Sequence, residues 1–74
     1  MKMTKKAQKR ITSLITSIHV AALMLANAKA EKNYESMERW MDHDAAATVS
    51  LAEEFGIVLP NLEIARQYVA RRSK

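Results

Sequence analysis

From Thr4 to Lys32 the chain runs without a glycine or a proline, and its apolar side chains recur at alternating steps of three and four. Ile11, Leu14, Ile15, Ile18, Ala21, Ala22, Leu25 and Ala28 fall by that spacing on one side of an α-helix. Ile11, Ile18 and Leu25 share one heptad position, and Leu14, Ala21 and Ala28 share another, a seam that asks for a partner helix. A helix over residues 4–32 is on the order of 40 Å long, which is long for a domain of this size. The other side carries Thr12, Ser13, Thr16, Ser17 and His19, but from Val20 to Ala26 the segment is apolar all round, adding Leu23 and Met24. A helix apolar on every side must be covered on every side, so the first half is expected on a surface and the second half enclosed. Thr4 is a candidate N-cap, but lysines in the first turn oppose the helix dipole, so residues 1–9 read as a basic, frayed arm. At the other end Lys29 and Lys32 suit a last turn, and Asn33 is placed to end the helix in the left-handed conformation.

The rest of the chain reads as shorter helices. A single glycine and a single proline exclude turn-rich all-β designs, whose tight hairpins need residues tolerant of positive φ. A hydrophobic share of 49% against 27% charged residues is too apolar for intrinsic disorder. Tyr34 to Met41 reads as a second helix with Tyr34, Met37 and Met41 as its apolar stripe and Trp40 beside it. Asp42-His43-Asp44 reads as a break followed by a cap, with Asp44 accepting from Ala46 or Ala47. A third helix, Ala45 to Phe55, ends at Gly56 as its C′ residue. Pro60 cannot sit inside a helix, and Asn61 caps a last one reaching Arg72. The expected architecture is a single all-α domain over residues 1–74, a small bundle of about four helices with a long N-terminal amphipathic helix. A continuous second helix from Tyr34 to Phe55 is the alternative. With 74 residues and no cysteine, one hydrophobic core is marginal and no disulfide can supplement it. A homodimer is therefore expected.

The net charge of +4 is unevenly placed. Residues 1–30 carry Lys2, Lys5, Lys6, Lys9, Arg10 and Lys29 with no acid. Residues 31–54 hold Glu31, Glu35, Glu38, Asp42, Asp44, Glu53 and Glu54 against Lys32 and Arg39 alone, and the tail returns to basic through Arg66, Arg71, Arg72 and Lys74. Such segregation is read first as charges facing each other within the fold or across a dimer, and second as a basic arm meeting phosphate.

Leu51-Ala52-Glu53-Glu54-Phe55-Gly56-Ile57, continuing to Leu62 and Ala65, resembles a helix-turn-helix, which wants a small residue inside its first helix, glycine at the turn and apolar anchors beyond. The resemblance implies a DNA-binding regulator using residues 45–72, with Asn61, Arg66, Gln67, Arg71 and Arg72 as contacts and Lys5, Lys6, Lys9 and Arg10 as a clamp. The helix face so presented also carries Glu63, Ile64 and Pro60, which are poor readers of phosphate and base edges.

Other chemistry finds few residues to stand on. His43 between Asp42 and Asp44 lacks ligand geometry, because adjacent helical residues point apart, so no metal and no cofactor is expected. Without cysteine, a serine elbow or a glycine-rich loop, there is no recognisable catalytic constellation and no small-molecule substrate is expected. The basic start, apolar stretch and Ala28-Lys29-Ala30 outline a signal peptide, but Thr12, Ser13, Thr16, Ser17 and His19 interrupt the apolar stretch, and no unbroken apolar run is long enough to span a bilayer. The reading is a cytoplasmic, non-enzymatic regulator or adaptor acting by helix-mediated protein binding, as a homodimer or on a larger protein. Its expected contact residues are Ile11, Leu14, Ile15, Ile18, Leu25, Met37, Trp40 and Met41.

Overall fold

A computed structural model describes residues 3–72, all of whose regular structure is helical. Helix α1 spans Lys5–Ala30, α2 spans Tyr34–Phe55 and α3 spans Leu62–Arg72. The architecture is thus three helices rather than four. The expected break at Asp42-His43-Asp44 does not occur, and α2 runs through it as one helix of 22 residues. The physical reason lies in magnitudes. Asp and His in a helix interior cost a few tenths of a kcal/mol each, about 0.7 at most, and Ala45-Ala46-Ala47 immediately restores the best helix formers. Between Tyr34 and Phe55 no glycine or proline interrupts the helix.

The start of α1 also differs from expectation. The Thr4 hydroxyl accepts from the Ala7 N–H at 3.1 Å, and Lys5, Lys6 and Lys9 lie within the helix rather than in a frayed arm. Only Met1 and Lys2 of that arm fall outside the described residues. One satisfied N–H group offsets the unfavourable lysine–dipole interaction, which is screened and worth tenths of a kcal/mol. At the far end it is Lys32, not Asn33, that adopts the left-handed conformation, with φ 56°. Lys32 N–H donates to Lys29 O and Asn33 N–H to Ala28 O, which closes the helix end in a Schellman pattern. Asn33 instead begins α2, its side chain accepting from the Ser36 N–H at 3.1 Å.

This short connection forces α1 and α2 into an antiparallel hairpin. Their contact is built on small residues. Leu14, Ala21 and Ala28, seven apart, are buried on α1, and Ala45, Ala47, Thr48 and Leu51 are buried on α2. Leu14, Ala47 and Leu51 form the core cluster, with Ile11, Ile18, Phe55, Ile57 and Leu59 packed around it. The heptad seam thus finds its partner helix within the same chain. Gly56, with φ 69°, ends α2 as its position predicts. The segment 56–61 folds back, and α3 packs on α2 through Leu62 and Ala65. α1 and α3 flank α2 without packing on each other. The result is open and elongated, 44 × 25 × 20 Å. Its radius of gyration is 13.3 Å, against about 11 Å for a compact domain of this length.

Candidate functional site

The enclosure expected for the second half of α1 is only partial. Ala21 is buried and Leu25 half-buried, but Val20, Leu23 and Met24 are exposed, Leu23 by 58%, and so is Ile15 in the first half, by 54%. An 18-residue stretch of α1 reaches a mean hydropathy of 1.6, yet only 17% of it is buried. The run Ile11–Ala28 contains no Asp, Glu, Lys or Arg. By length and composition α1 is able to cross a membrane. The unbroken apolar run required in the sequence reading is a stricter criterion than this average, which tolerates the interspersed Thr, Ser and His.

Helical spacing organises the exposed face further. Thr12, Ile15, His19, Ala22 and Ala26 follow one another at steps of three and four, and every one of them is exposed, as are their neighbours Thr16 and Leu23. They form a second stripe on the back of α1, uncharged and made mostly of small side chains. Hydropathy reading passes over it because Thr and His interrupt the large apolar residues. A well-behaved soluble surface carries about 25–35% charged residues, so a helix face some 18 residues long without Asp, Glu, Lys or Arg stands out more than any single exposed leucine.

The total area tells the same story. The chain exposes 5843 Å², where a compact monomer of 8.4 kDa exposes about 4,600 Å². The excess exceeds the roughly 800 Å² that each partner contributes to a standard interface.

The residues expected to bind a partner are divided by the structure. Leu14 is in the core, Ile11 and Ile18 pack against it, and Met37, Trp40 and Leu25 are half-buried. Only Ile15 and Met41 of that set are exposed. Leu25 and Met41 line a groove of about 160 Å³ with Asp44, Ala45, Ile64 and Tyr68, between the flanks of α1 and α3. Trp40 meets His43 edge to face at 5.6 Å, beside a shallow groove shared with Ser13, Ser17 and Val20. Val20, Leu23, Met24 and Ile64 are exposed apolar positions outside the expected contact set.

The basic residues are divided as well. Arg10 makes a two-pronged pair with Glu54, Nε to Oε1 at 3.1 Å and Nη2 to Oε2 at 2.9 Å. That pairing, through hydrogen bonding first, holds the Glu54 carboxyl below its usual range. Arg72 bridges Glu38 at 2.9 Å and Asp42 at 2.7 Å. The acidic middle is thus met in part by basic residues of its own chain. Arg10 sits by the end of α2 with Lys6 beside it, whereas Arg72 sits sixteen residues back along that helix at Glu38, about 24 Å away. Asn61, Arg66, Gln67 and Arg71 are exposed on or beside α3. The α2–α3 link covers residues 56–61, longer than the three or four residues of a helix-turn-helix turn.

Two polar atoms are sealed without partners, Asp44 Oδ1 and Thr48 Oγ1, one turn apart on α2. Asp44 is half-buried as a residue, and loss of hydration raises its pKa above the usual carboxylate range. Among the described residues no three His, Asp or Glu side chains converge in a way that could hold a metal ion. No family model, curated protein or solved structure matches the chain.

Proposed function

We propose that this chain is a small non-enzymatic regulator or adaptor that works by binding another protein surface along the outer face of α1. The observation that carries the reading is the run Ile11–Ala28, free of charge yet 17% buried. Such a face is costly to leave in water and inexpensive to cover, since apolar burial is worth roughly 25 cal/mol per Å². The excess accessible area supports the same reading. The distance between the two basic clusters, and the ion pairs of Arg10 and Arg72, weigh against a single nucleic-acid-binding face.

The experiment compares tagged wild type with Leu23→Asp, each recovered from the cell of origin at low and at high salt. Leu23 is exposed, so the variant is expected to keep its helical circular dichroism. Proteins retained by the wild type at both salt concentrations and lost with Leu23→Asp support the reading. Retention that vanishes at high salt but survives Leu23→Asp points to phosphate contacts, which weaken steeply with salt, and overturns it.

A further inference from the structure

Resting on that reading, the geometry points to a specific occupant for the exposed stripe: we infer that a second copy of this chain packs there, α1 antiparallel to α1, about a two-fold axis at His19. The stripe Thr12, Ile15, His19, Ala22, Ala26 is centred on His19. An antiparallel pair turned about that point sets Thr12 against Ala26 of the other copy, Thr16 against Ala22, and Ile15 against Leu23. The two most exposed large apolar side chains of α1 thereby cover each other, and the small residues between them let the backbones approach. An isologous contact of this kind uses one patch twice and closes on itself, leaving no second patch to propagate.

Charge selects the direction. A parallel pair sets Lys5, Lys6 and Lys9 of one copy beside the same lysines of the other. An antiparallel pair sets Lys5 level with Asn33, Lys6 with Lys32 and Lys9 with Lys29, in a stretch whose two lysines are offset by Glu31 and Glu35, so that the facing segment is neutral rather than basic. Area selects a protein over a smaller ligand, because the surplus of exposed surface is of the size that one side of a stable dimer covers. A lipid surface suits the face less well. Interfacial helices segregate their apolar and charged sides, whereas Thr12, Thr16, His19 and Asn27 are spread among the exposed apolar residues here.

The chain has no cysteine, so single introduced cysteines report the register directly. His19→Cys is expected to form a disulfide-linked dimer by itself under mild oxidation. Thr12→Cys and Ala26→Cys are each expected to stay monomeric alone and to cross-link when mixed, since those positions meet only each other. Sedimentation of the wild type should show a reversible monomer–dimer equilibrium in the micromolar range. Leu23→Asp should weaken it by about 30-fold or more, the loss expected for a charge placed in the centre of an interface. Self-cross-linking of Thr12→Cys and Ala26→Cys would mean a parallel pair and overturn the inference. So would a wild type that remains monomeric throughout together with a His19→Cys variant that gives no cross-link, or a wild type that is monomeric in solution and binds vesicles containing phosphatidylglycerol. A monomeric result leaves the recovery experiment above able to succeed, so the two readings fail separately.

Discussion

α1 and α3 both lean on α2, but they are held there by different forces. α1 is attached along its length by apolar side chains and buried alanines, with one ion pair at the end, between Arg10 and Glu54. α3 is less than half as long and buries only Leu62 and Ala65. Its far end is fixed by polar contacts, the Tyr68 hydroxyl donating to Glu38 O at 3.4 Å and Arg72 bridging Glu38 and Asp42. Exposed ion pairs are worth about 0.2–1 kcal/mol, and salt screens them. The hairpin should therefore be one cooperative unit and α3 a less stable flap that opens first.

The sharpest way to break that contrast is to cut each attachment at its most buried leucine. Leu51 is 1% exposed at the centre of the hairpin core. Leu51→Ala is expected to cost about 2–5 kcal/mol, enough to unfold so small a domain. Leu62→Ala should instead release α3 while the hairpin persists. Hydrogen exchange reads the difference: Leu62→Ala should lose protection within Leu62–Arg72 only. Equal loss across all three helices would show that the flap and the hairpin are one unit.

A smaller effect comes from two carboxylates that act with opposite sign. Asp44 has a raised folded-state pKa, caused first by loss of hydration. Its contribution is therefore fully favourable below its unfolded pKa and lost as pH rises through the folded value. Glu54 has a lowered one, caused first by its hydrogen bonds from Arg10. Its contribution is present above the unfolded pKa and lost as pH falls through the folded value. Asp44→Ala removes a sealed oxygen without a partner and adds a better helix former, and is expected to stabilise the fold at neutral pH by about 1 kcal/mol. Melting temperature followed from mildly acid to neutral pH should fall less in Asp44→Ala than in the wild type. Glu54→Gln should flatten the curve only on the acid side. An unchanged slope in Asp44→Ala would remove the role given to that carboxylate.

How much of this could be read from the residues alone depended on how strongly each position constrains the backbone. The spacing of Ile11, Leu14 and Ile18 located α1, because a buried seam permits one helical phase only. Thr4 and Gly56 were legible because a cap hydroxyl and a left-handed glycine have few competitors at such places. The Asp42-His43-Asp44 break was misread because its signal is a preference of tenths of a kcal/mol, smaller than the packing that carries α2 through it. The exposed stripe on α1 escaped because a seam of Thr, Ile, His and Ala has a helical period but little hydropathy contrast. The legible seam faces α2, so of the residues it nominates for a partner Leu14 is buried there and Ile11, Ile18 and Leu25 are half-covered.

The two chain reversals extend the comparison to the smallest effect. Each helix that leads into a reversal ends with one residue in the left-handed region, Lys32 after α1 and Gly56 after α2. For lysine that conformation costs about 1–2 kcal/mol, because Cβ crowds the following carbonyl. For glycine it costs nothing sterically, and a Cβ built at Gly56 meets no atom within 4 Å. Any penalty for a side chain at Gly56 is therefore backbone strain rather than packing. Lys32→Gly is expected to stabilise the hairpin by about 0.5 kcal/mol, the relief of strain being partly offset by the greater freedom of glycine in the unfolded chain. Gly56→Ala should destabilise by about 1 kcal/mol. Urea titration of both variants measures the two shifts at unchanged m-value. The hairpin's tight turn then emerges as held closed by the packing of α1 on α2, against the preference of its own residue, whereas the turn leading to α3 sits at its local optimum. A destabilising Lys32→Gly would place the strain elsewhere and reverse that assignment.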